Sequence, residues 1–334
     1  MTDTTASPME TAKSGFFTTA TMQKAVAFVV LIALLLFFSI FAEHFAQWDN
    51  MVNIMTATAV NGVLGIACTF VIISGGIDLS VGTMMTFTAV TSGLILTNAG
   101  LPMPLGIIGA MLAGAFMGAL SGVFIAKLKI PPFIATLGMM QLTRGLALVM
   151  SGGHPIYFDK TPNYTLIAPD SSISLLIPWL EIPNGVFVMF GVAIVATIVL
   201  NRTILGRYVF ALGSNEEAAR LSGMDVDFWK IITYSLSGMI CGIAGLLVSS
   251  RLDSAQPALG LGYELEAIAA TVIGGTSLAG GRGTMLGTII GAFILSVLLN
   301  GLRVMGFAEE WKIVVTGIVI IAAVYVDTLL RKRS

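Results

Sequence analysis

Residues 52–82 read VNIMTATAVNGVLGIACTFVIISGGIDLSVG, and this stretch decides the fold. Its first part, 52–73, carries no charged side chain and is long enough, as a helix, to cross a bilayer core of about 30 Å. The apolar run stops at Ser74, two glycines and Asp78 follow, and a second segment rich in Thr and Gly begins at Val81. The stretch therefore predicts a membrane-spanning helix, a break, and then a weaker second helix.

The whole chain shares this apolar character. Of its 334 residues, 56% are hydrophobic and 10% are charged, whereas a soluble protein carries about 25% charged residues. That polar surface is too small to coat a globule, which excludes a soluble enzyme or a disordered chain. The net charge of −1 excludes a nucleic-acid binder. Cys68 and Cys241 lie inside apolar runs and are expected to be buried hydrophobes, so we expect no metal site.

Apolar runs predict ten membrane-spanning helices. Eight are strong, at 25–42, 52–73, 105–126, 133–150, 186–200, 231–250, 285–302 and 313–326, and two are weaker, at 81–97 and 265–273. The weak pair can be half-helices or re-entrant segments, because broken helices are tolerated where they face protein or a water-filled cavity. The first run lacks a small-residue cleavage site, so we expect it to stay as an anchor.

The distribution of positive charge predicts the orientation. Ten spans place both termini on one side of the membrane, and twelve of the seventeen Lys and Arg residues fall on that side. Four fall on the opposite side, and Arg144 lies inside a span. The positive-inside rule then makes both termini cytoplasmic. We expect a cytoplasmic tail over 1–22, one transmembrane domain over 23–330, and a cytoplasmic loop over 202–230.

Two glycine-rich blocks suggest an internal repeat. Residues 74–82 resemble 273–281 at an offset of 199. The glycines in these blocks, at which we predict broken helices, are Gly75, Gly76, Gly82, Gly274, Gly275 and Gly281. Halves of five spans each, about 23–150 and 185–330, would be inverted relative to each other, and inverted repeats with interrupted helices are typical of transporters. The alternative is that glycine-rich turns resemble each other by chance.

The chain carries no sign of its own energy source. It contains no G-x-x-x-x-G-K-[ST] motif for ATP phosphates, and the strong spans hold Arg144 but no acid for a proton relay. The polar residues in the spans are mostly neutral, which suits a neutral hydroxylated solute, although each one singly more often bridges helices. The candidates for the pathway are Asn61, Phe70, Asp78, Gln141, Arg144, Glu264, Glu266 and Asn300.

Two of the charged candidates, Asp78 and Arg144, also have structural interpretations. Asp78 is expected to cap the helix that begins at Val81. Arg144 would be costly unpaired within the membrane, so we expect it to pair with Asp78 or Glu266, or to bind free carbonyl groups, rather than to contact the solute. Glu264 and Glu266 lie two residues apart and point to different faces of a helix, so we do not expect them to form one site.

The loop at 202–230 contains a short helix signal, GSNEEAARLSG, at 213–223. Ser214 or Asn215 is a suitable N-cap, Glu216 and Glu217 favour the first turn, and Gly223 is placed to end the helix. The pattern predicts a helix of about two turns. An ordinary interfacial loop is the alternative.

The sequence EAA at 217–219, followed by Gly223, matches the EAA loop of ATP-binding-cassette importer permeases. Further motifs resemble the ribose-type monosaccharide permeases, over most of the chain from about 25 to 327. These motifs are GGIDLSVG (75–82), PFIATLGMM (132–140), GRY (206–208), ALG (211–213), SAQP (254–257), GYELEAIAA (262–270) and GGTSLAGG (274–281). The Ile-x-Leu-Pro tail of the general EAA consensus is absent, which bears on the subfamily.

This resemblance implies a homodimeric permease of the bacterial inner membrane, with a helical arrangement similar to that of cobalamin importers. A separate cytoplasmic ATPase would use ATP and Mg²⁺, a periplasmic binding protein would deliver the sugar, and this chain would bind no cofactor. The predicted ATPase contact comprises Ser214, Asn215, Glu216, Glu217, Ala218, Ala219, Arg220 and Gly223, with Glu217 and Arg220 as polar contacts. The long outer connection 152–185 is a candidate for the binding-protein contact, as are Glu264 and Glu266.

Within this family the cargo stays open. It is a monosaccharide or a related polyol, an inositol or a signalling sugar. A stand-alone secondary carrier is the main functional alternative, because it would transport without an ATPase or a binding protein.

Overall fold

The computed structural model describes residues 11–177 and 179–332, and in this part the chain is almost entirely helical. The α-helices are α1 (Thr11–Phe41), α2 (Trp48–Ile73), α3 (Val81–Gly93), α4 (Met103–Ala126), α5 (Pro132–Ser151), α6 (Asn184–Arg202), α7 (Ile204–Ser214), α8 (Glu216–Leu221), α9 (Val226–Arg251), α10 (Tyr263–Ile273), α11 (Met285–Val304) and α12 (Glu309–Lys332). A π-helical turn, Leu94–Asn98, extends α3. The short strands β1 (Ile156–Tyr157) and β2 (Ser254–Ala255) form an antiparallel pair.

Six of the described helices are long and apolar enough to cross a membrane, namely α2, α4, α5, α6, α9 and α11. The described apolar part of α1, Ala25–Phe41, and α7 are shorter. Large apolar side chains such as Leu112, Phe190 and Ile194 are exposed on the outer helices, as expected of surfaces that meet lipid rather than water. The all-helical chain is a multi-pass integral membrane protein.

Helix α2 forms the centre of the bundle. From Thr58 to Ile73 every residue is buried, against α6, α9, α10 and α11. Its hydroxyl groups are satisfied internally, as at Thr69, which donates to the Gly65 carbonyl oxygen and lies 2.7 Å from the Thr288 hydroxyl of α11. The stretch that the sequence singled out is thus the core around which the other helices pack.

Glycines bring α4 and α9 into backbone contact. Gly114 of α4 and Gly238 of α9 face each other so closely that a Cβ on either one would overlap the carbonyl oxygen of the other. Four residues further along α4, a Cβ at Gly118 would overlap the Tyr234 carbonyl oxygen. Because lipid supplies no hydrophobic drive between helices, such close packing is a main source of helix association in membranes.

The predicted breaks are present. Helix α2 ends at Ile73 and α3 begins at Val81, and α10 is a short helix that a glycine-rich link separates from α11. We call residues 74–80 link 1 and residues 274–284 link 2. Gly75 in link 1 and Gly275 in link 2 have φ angles of +83° and +89°, a left-handed conformation that favours glycine.

The two links do not occupy equivalent places in two five-helix halves. Link 1 joins the second and third helices of the first half, whereas link 2 joins α10 to α11, the third and fourth helices of a second half made of α6 and α9–α12. The equivalent of link 1 would be residues 252–262, between α9 and α10. The two links do, however, touch, because the Gly281 amide donates to the Ile73 carbonyl oxygen at 2.9 Å. The resemblance of link 1 to link 2 at an offset of 199 therefore does not align equivalent helices of the two halves.

Candidate functional site

The short helix predicted in the 202–230 loop is present as α8. Asn215 is its N-cap, with Oδ1 accepting a hydrogen bond from the Ala218 amide at 2.9 Å. Gly223, with φ of +88°, follows its last turn. The helix is shorter than predicted because Ser214 belongs to the preceding helix α7, where its hydroxyl donates to the Phe210 carbonyl oxygen.

Helix α7, Ile204–Ser214, lies in the part of the 202–230 loop for which the sequence predicted no helix. A signal for it exists. Thr203 is an N-cap whose hydroxyl accepts from the Gly206 amide, and the buried residues Gly206, Val209 and Leu212 follow at helical spacing. With only eleven residues, however, the helix is too short to stand out as a span.

One buried side chain anchors α8 to the bundle. Ala219 lies in an apolar cluster with Leu212 of α7, Val226 of α9 and Met224 between them. The remaining α8 residues, Glu216, Glu217, Ala218, Arg220 and Leu221, are exposed. The small Ala219 side chain lets the α8 backbone lie close to α7 and α9, while the rest of the helix presents a free surface.

Ion pairs connect α8 to the start of α9. Glu216 accepts from Lys230 at 2.7 Å, and Arg220 lies 3.4 Å from Asp227. Asp227, ahead of the apolar stretch that begins at Ile231, also accepts from Lys129 at 2.9 Å, and this hydrogen bond holds the pKa of the Asp227 carboxyl below its usual range. The described residues place no cation within 4.0 Å of Glu217. Glu217 is exposed on α8.

Two of the polar pathway candidates meet inside the bundle. Asn61, midway along α2, donates from Nδ2 to Glu266 Oε2 of α10 at 2.8 Å. The Asn61 Oδ1 atom is buried and has no hydrogen-bond partner among the described residues, and the same holds for Asn300 Oδ1 of α11. A buried amide oxygen without a donor is costly, so these two atoms are the unsatisfied acceptors among the polar pathway candidates that the structure describes.

The acids Asp78 and Glu264 have structural partners near the first turns of α3 and α10. Asp78 accepts from the Ser80 amide at 2.9 Å and from the Ser237 hydroxyl at 3.4 Å. The expected cap thus acts on Ser80, one residue before α3. Glu264 accepts from the Gly262 amide at 3.0 Å, just before α10. Negative charge at these two helix starts is favourable. Glu264 and Glu266 bind different partners, as expected.

The predicted pairing of Arg144 is wrong. Asp78 is occupied by Ser80 and Ser237, Glu266 binds Asn61, and the described residues place no carboxylate within 4.0 Å of the Arg144 guanidinium. Arg144 is half-buried on α5, and Gln141, one turn away, is exposed. Phe70 is fully buried in the apolar core, so it lines no open path in this conformation.

Residues 152–177 and 179–185 of the connection between α5 and α6 make contacts that the sequence did not predict. Phe158 stacks on Tyr164 with ring centroids 3.8 Å apart, and the Tyr164 hydroxyl lies 2.7 Å from Ser249 of α9. Leu175, Leu176 and Trp179 are among its exposed side chains. The connection is therefore a packed cap on one end of the bundle with an apolar surface. Cys68 and Cys241 are buried free thiols, as predicted.

Comparison with known proteins gives a consistent picture. The family model described as branched-chain amino acid transport system / permease component matches residues 50–324. The ribose import permease protein RbsC of Escherichia coli (strain K12) is 41% identical, over 93% of this chain and 96% of its own length. The corresponding Bacillus subtilis protein is 40% identical, covering 94% of each chain.

More distant relatives are also named as sugar permeases. The fructose import permease protein FrcC of Rhizobium meliloti is 38% identical, over 92% of this chain and 86% of its own length. No solved structure matches the chain. The family match and the near full-length relatives together show that this chain belongs to the family of transport-system permease components that includes the ribose import permeases.

Proposed function

We propose that this chain is the permease subunit of an ATP-driven importer for a monosaccharide or a related polyol, such as a ribose-type sugar. The observation that carries the proposal is the identity of about two residues in five to ribose import permeases over more than nine-tenths of the chain. Fructose and xylose import permeases are also similar. Asn61 Oδ1 and Asn300 Oδ1, which accept no hydrogen bond from the part of the chain that the structure describes, suit sugar hydroxyls, which donate hydrogen bonds without carrying charge.

The proposed topology places ten spans within 23–330, with both termini and the 202–230 loop in the cytoplasm of a bacterial cell. The Lys and Arg distribution supports it, and so does the cluster of Lys129, Arg220 and Lys230 around α8. We also propose that the halves 23–150 and 185–330 are inverted five-helix repeats with a cobalamin-importer-like arrangement. The resemblance of the sequence motifs to those of the ribose-type permeases supports this arrangement.

In the proposed mechanism, α8 is the contact with a separate ATPase that binds ATP and Mg²⁺, and this chain holds no cofactor and catalyses no reaction. ATP-driven closure of the ATPase displaces α8, and the helices tilt to expose the lumen to one side and then to the other. The solute binds weakly in the lumen, because a tight site would retain it, and the delivering protein supplies the affinity. The exposed Glu217 carboxylate and the free face of α8 support this role.

We propose that the binding protein docks on the cap 152–185, whose exposed Leu175, Leu176 and Trp179 offer an apolar surface. Glu264 fits this role less well than the sequence indicated, because only 8% of its surface is exposed. It takes part in the start of α10 instead.

We also propose that the protein is a homodimer with α5 at its interface. Gln141 of α5 is exposed, the described residues place no carboxylate within 4.0 Å of Arg144, and a Cβ added at Gly138 or Gly145 would meet no atom within 4 Å. Polar groups exposed to lipid are costly, whereas small residues let a second helix approach closely. A second copy packed against α5 satisfies both conditions.

We expect Gly138→Trp to separate the dimer, because the indole would fill the space that the second copy needs. The mass of the detergent-solubilised protein, measured by light scattering, should fall from that of two chains to that of one. Gly191→Trp on the open face of α6 is the matched control and should keep the dimer mass. A dimer that survives Gly138→Trp and dissociates with Gly191→Trp would move the interface to α6.

The decisive experiment reconstitutes the chain with its cognate ATPase and binding protein in proteoliposomes and measures uptake of labelled ribose, xylose, fructose, inositol and leucine. We expect ATP-dependent uptake of one sugar or polyol and none of leucine. Gradient-driven flux by this chain alone would favour the secondary carrier, and uptake of leucine alone would overturn the sugar assignment.

A further inference from the structure

Three backbone segments meet directly next to α8. They are link 1, link 2 and the end of α7 at Gly213. The Gly281 amide of link 2 donates to the carbonyl oxygen of Ile73, the last residue of α2, at 2.9 Å. Gly213 lies against both partners of this hydrogen bond, since a Cβ there would overlap the Ile73 oxygen and come within 2.6 Å of the Gly281 nitrogen.

The same three segments are in contact at a second point. A Cβ at Gly280 would lie 2.9 Å from the Gly213 Cα and 3.0 Å from the Gly75 Cα, and Gly280 has a φ angle of +84°. Backbone thus packs on backbone at this junction, with no side chain between. A contact of this kind has no rotamers that could absorb a displacement, so movement of one segment is passed on to the others.

Gly213 is also tightly connected to α8. It precedes the α8 N-cap, Asn215, by two residues, and its neighbour Leu212 packs against Ala219 of α8 in the buried cluster described above. The Ser214 hydroxyl holds the last turn of α7 through Phe210. A displacement of α8 therefore moves Gly213 with it.

We propose that the Gly213 backbone transmits a displacement of α8 to link 1 and link 2 at the same time. Link 1 leads into α3, and link 2 connects α10 to α11. A single displacement of α8 therefore moves α3 together with the adjoining ends of α10 and α11. The inference rests on the proposed function, in which an ATPase moves α8. It adds the point at which that movement enters the membrane domain.

The first test is Gly213→Ala in the assembled complex with its ATPase and binding protein. The methyl group cannot coexist with the Ile73 oxygen, so the junction must open. We expect basal ATP hydrolysis and complex assembly to persist, and solute-dependent acceleration of hydrolysis and solute uptake to be lost. Gly191→Ala, which adds a methyl group in open space, should retain both. Full acceleration and uptake in Gly213→Ala would overturn the inference.

The second test leaves Gly213 and the other junction glycines unchanged. Spin labels on Leu221→Cys and Ala279→Cys report the distance between α8 and link 2, and labels on Leu221→Cys and Asn98→Cys report the distance from α8 to the far end of α3. All three positions are exposed, and the native Cys68 and Cys241 are buried. Between the nucleotide-free and ATP-bound complexes, we expect the second distance to change and the first to stay constant.

The outcomes separate this inference from the function on which it rests. A change in the distance between 221 and 279, or no change in either distance in a complex that transports, would show that α8 does not drive the links through Gly213. Absence of ATP-dependent uptake by the unmodified complex would instead refute the proposed function.

Discussion

Glu217→Lys is expected to abolish solute-dependent ATP hydrolysis and uptake while the protein still inserts and folds. Glu217 is exposed and makes no ion pair with the described residues, so its replacement removes no internal interaction of the chain. A surface on the ATPase that accepts this carboxylate would meet an ammonium group instead, and like charges at an interface cost several kcal/mol. About 1.4 kcal/mol already reduces association tenfold.

The measurement compares ATPase activity with and without the loaded binding protein, together with co-purification of the ATPase. Glu310→Lys, an exposed residue at the start of α12, makes the same change of charge away from α8 and should behave as the unmodified chain. Glu216→Lys is a less specific probe, because it also breaks the internal pair with Lys230. Uptake that is unchanged in Glu217→Lys would contradict the assignment of α8 as the ATPase contact.

The features that could be predicted from the sequence are those encoded locally. The start of α8 follows from one residue, Asn215, whose side chain reaches an amide three positions along the same chain. The end of α2 follows from the glycines after Ser74, and the separate roles of Glu264 and Glu266 follow from helical spacing alone. Each of these depends on neighbours within about one helical turn.

The features that could not be predicted depend on partners far along the chain. Asn61 binds Glu266, which is 205 residues away, and Asp78 binds Ser237, which is 159 residues away. The ionic partner expected for Arg144 was wrong for the same reason, because both candidate acids have other partners. A glycine likewise does not indicate from sequence whether it touches another helix, as Gly114 does, or faces open space, as Gly191 does.

Gly114→Ala is expected to destabilise the protein far more than one methyl group ordinarily does in a helix. The new Cβ would overlap the Gly238 carbonyl oxygen and lie 2.9 Å from its carbon, and both atoms belong to the α9 backbone. No side-chain rotation can relieve this clash, so α4 and α9 must separate along a stretch where Gly118 also touches α9. Overpacking costs about 1–3 kcal/mol where side chains can adjust, and here they cannot.

The control isolates this packing effect from the helical preference of alanine. Alanine favours a helix over glycine by up to about 1 kcal/mol, so Gly191→Ala, whose Cβ meets no atom, should leave the thermal midpoint in detergent unchanged or raise it. Gly114→Ala should lower the midpoint and the yield of monodisperse protein. Equal thermal midpoints for the two variants would mean that α4 and α9 lie farther apart than the structure places them. In lipid, no hydrophobic force drives helices together, so their association depends on close packing. The fall in the thermal midpoint of Gly114→Ala therefore measures how much stability the backbone contact between α4 and α9 contributes.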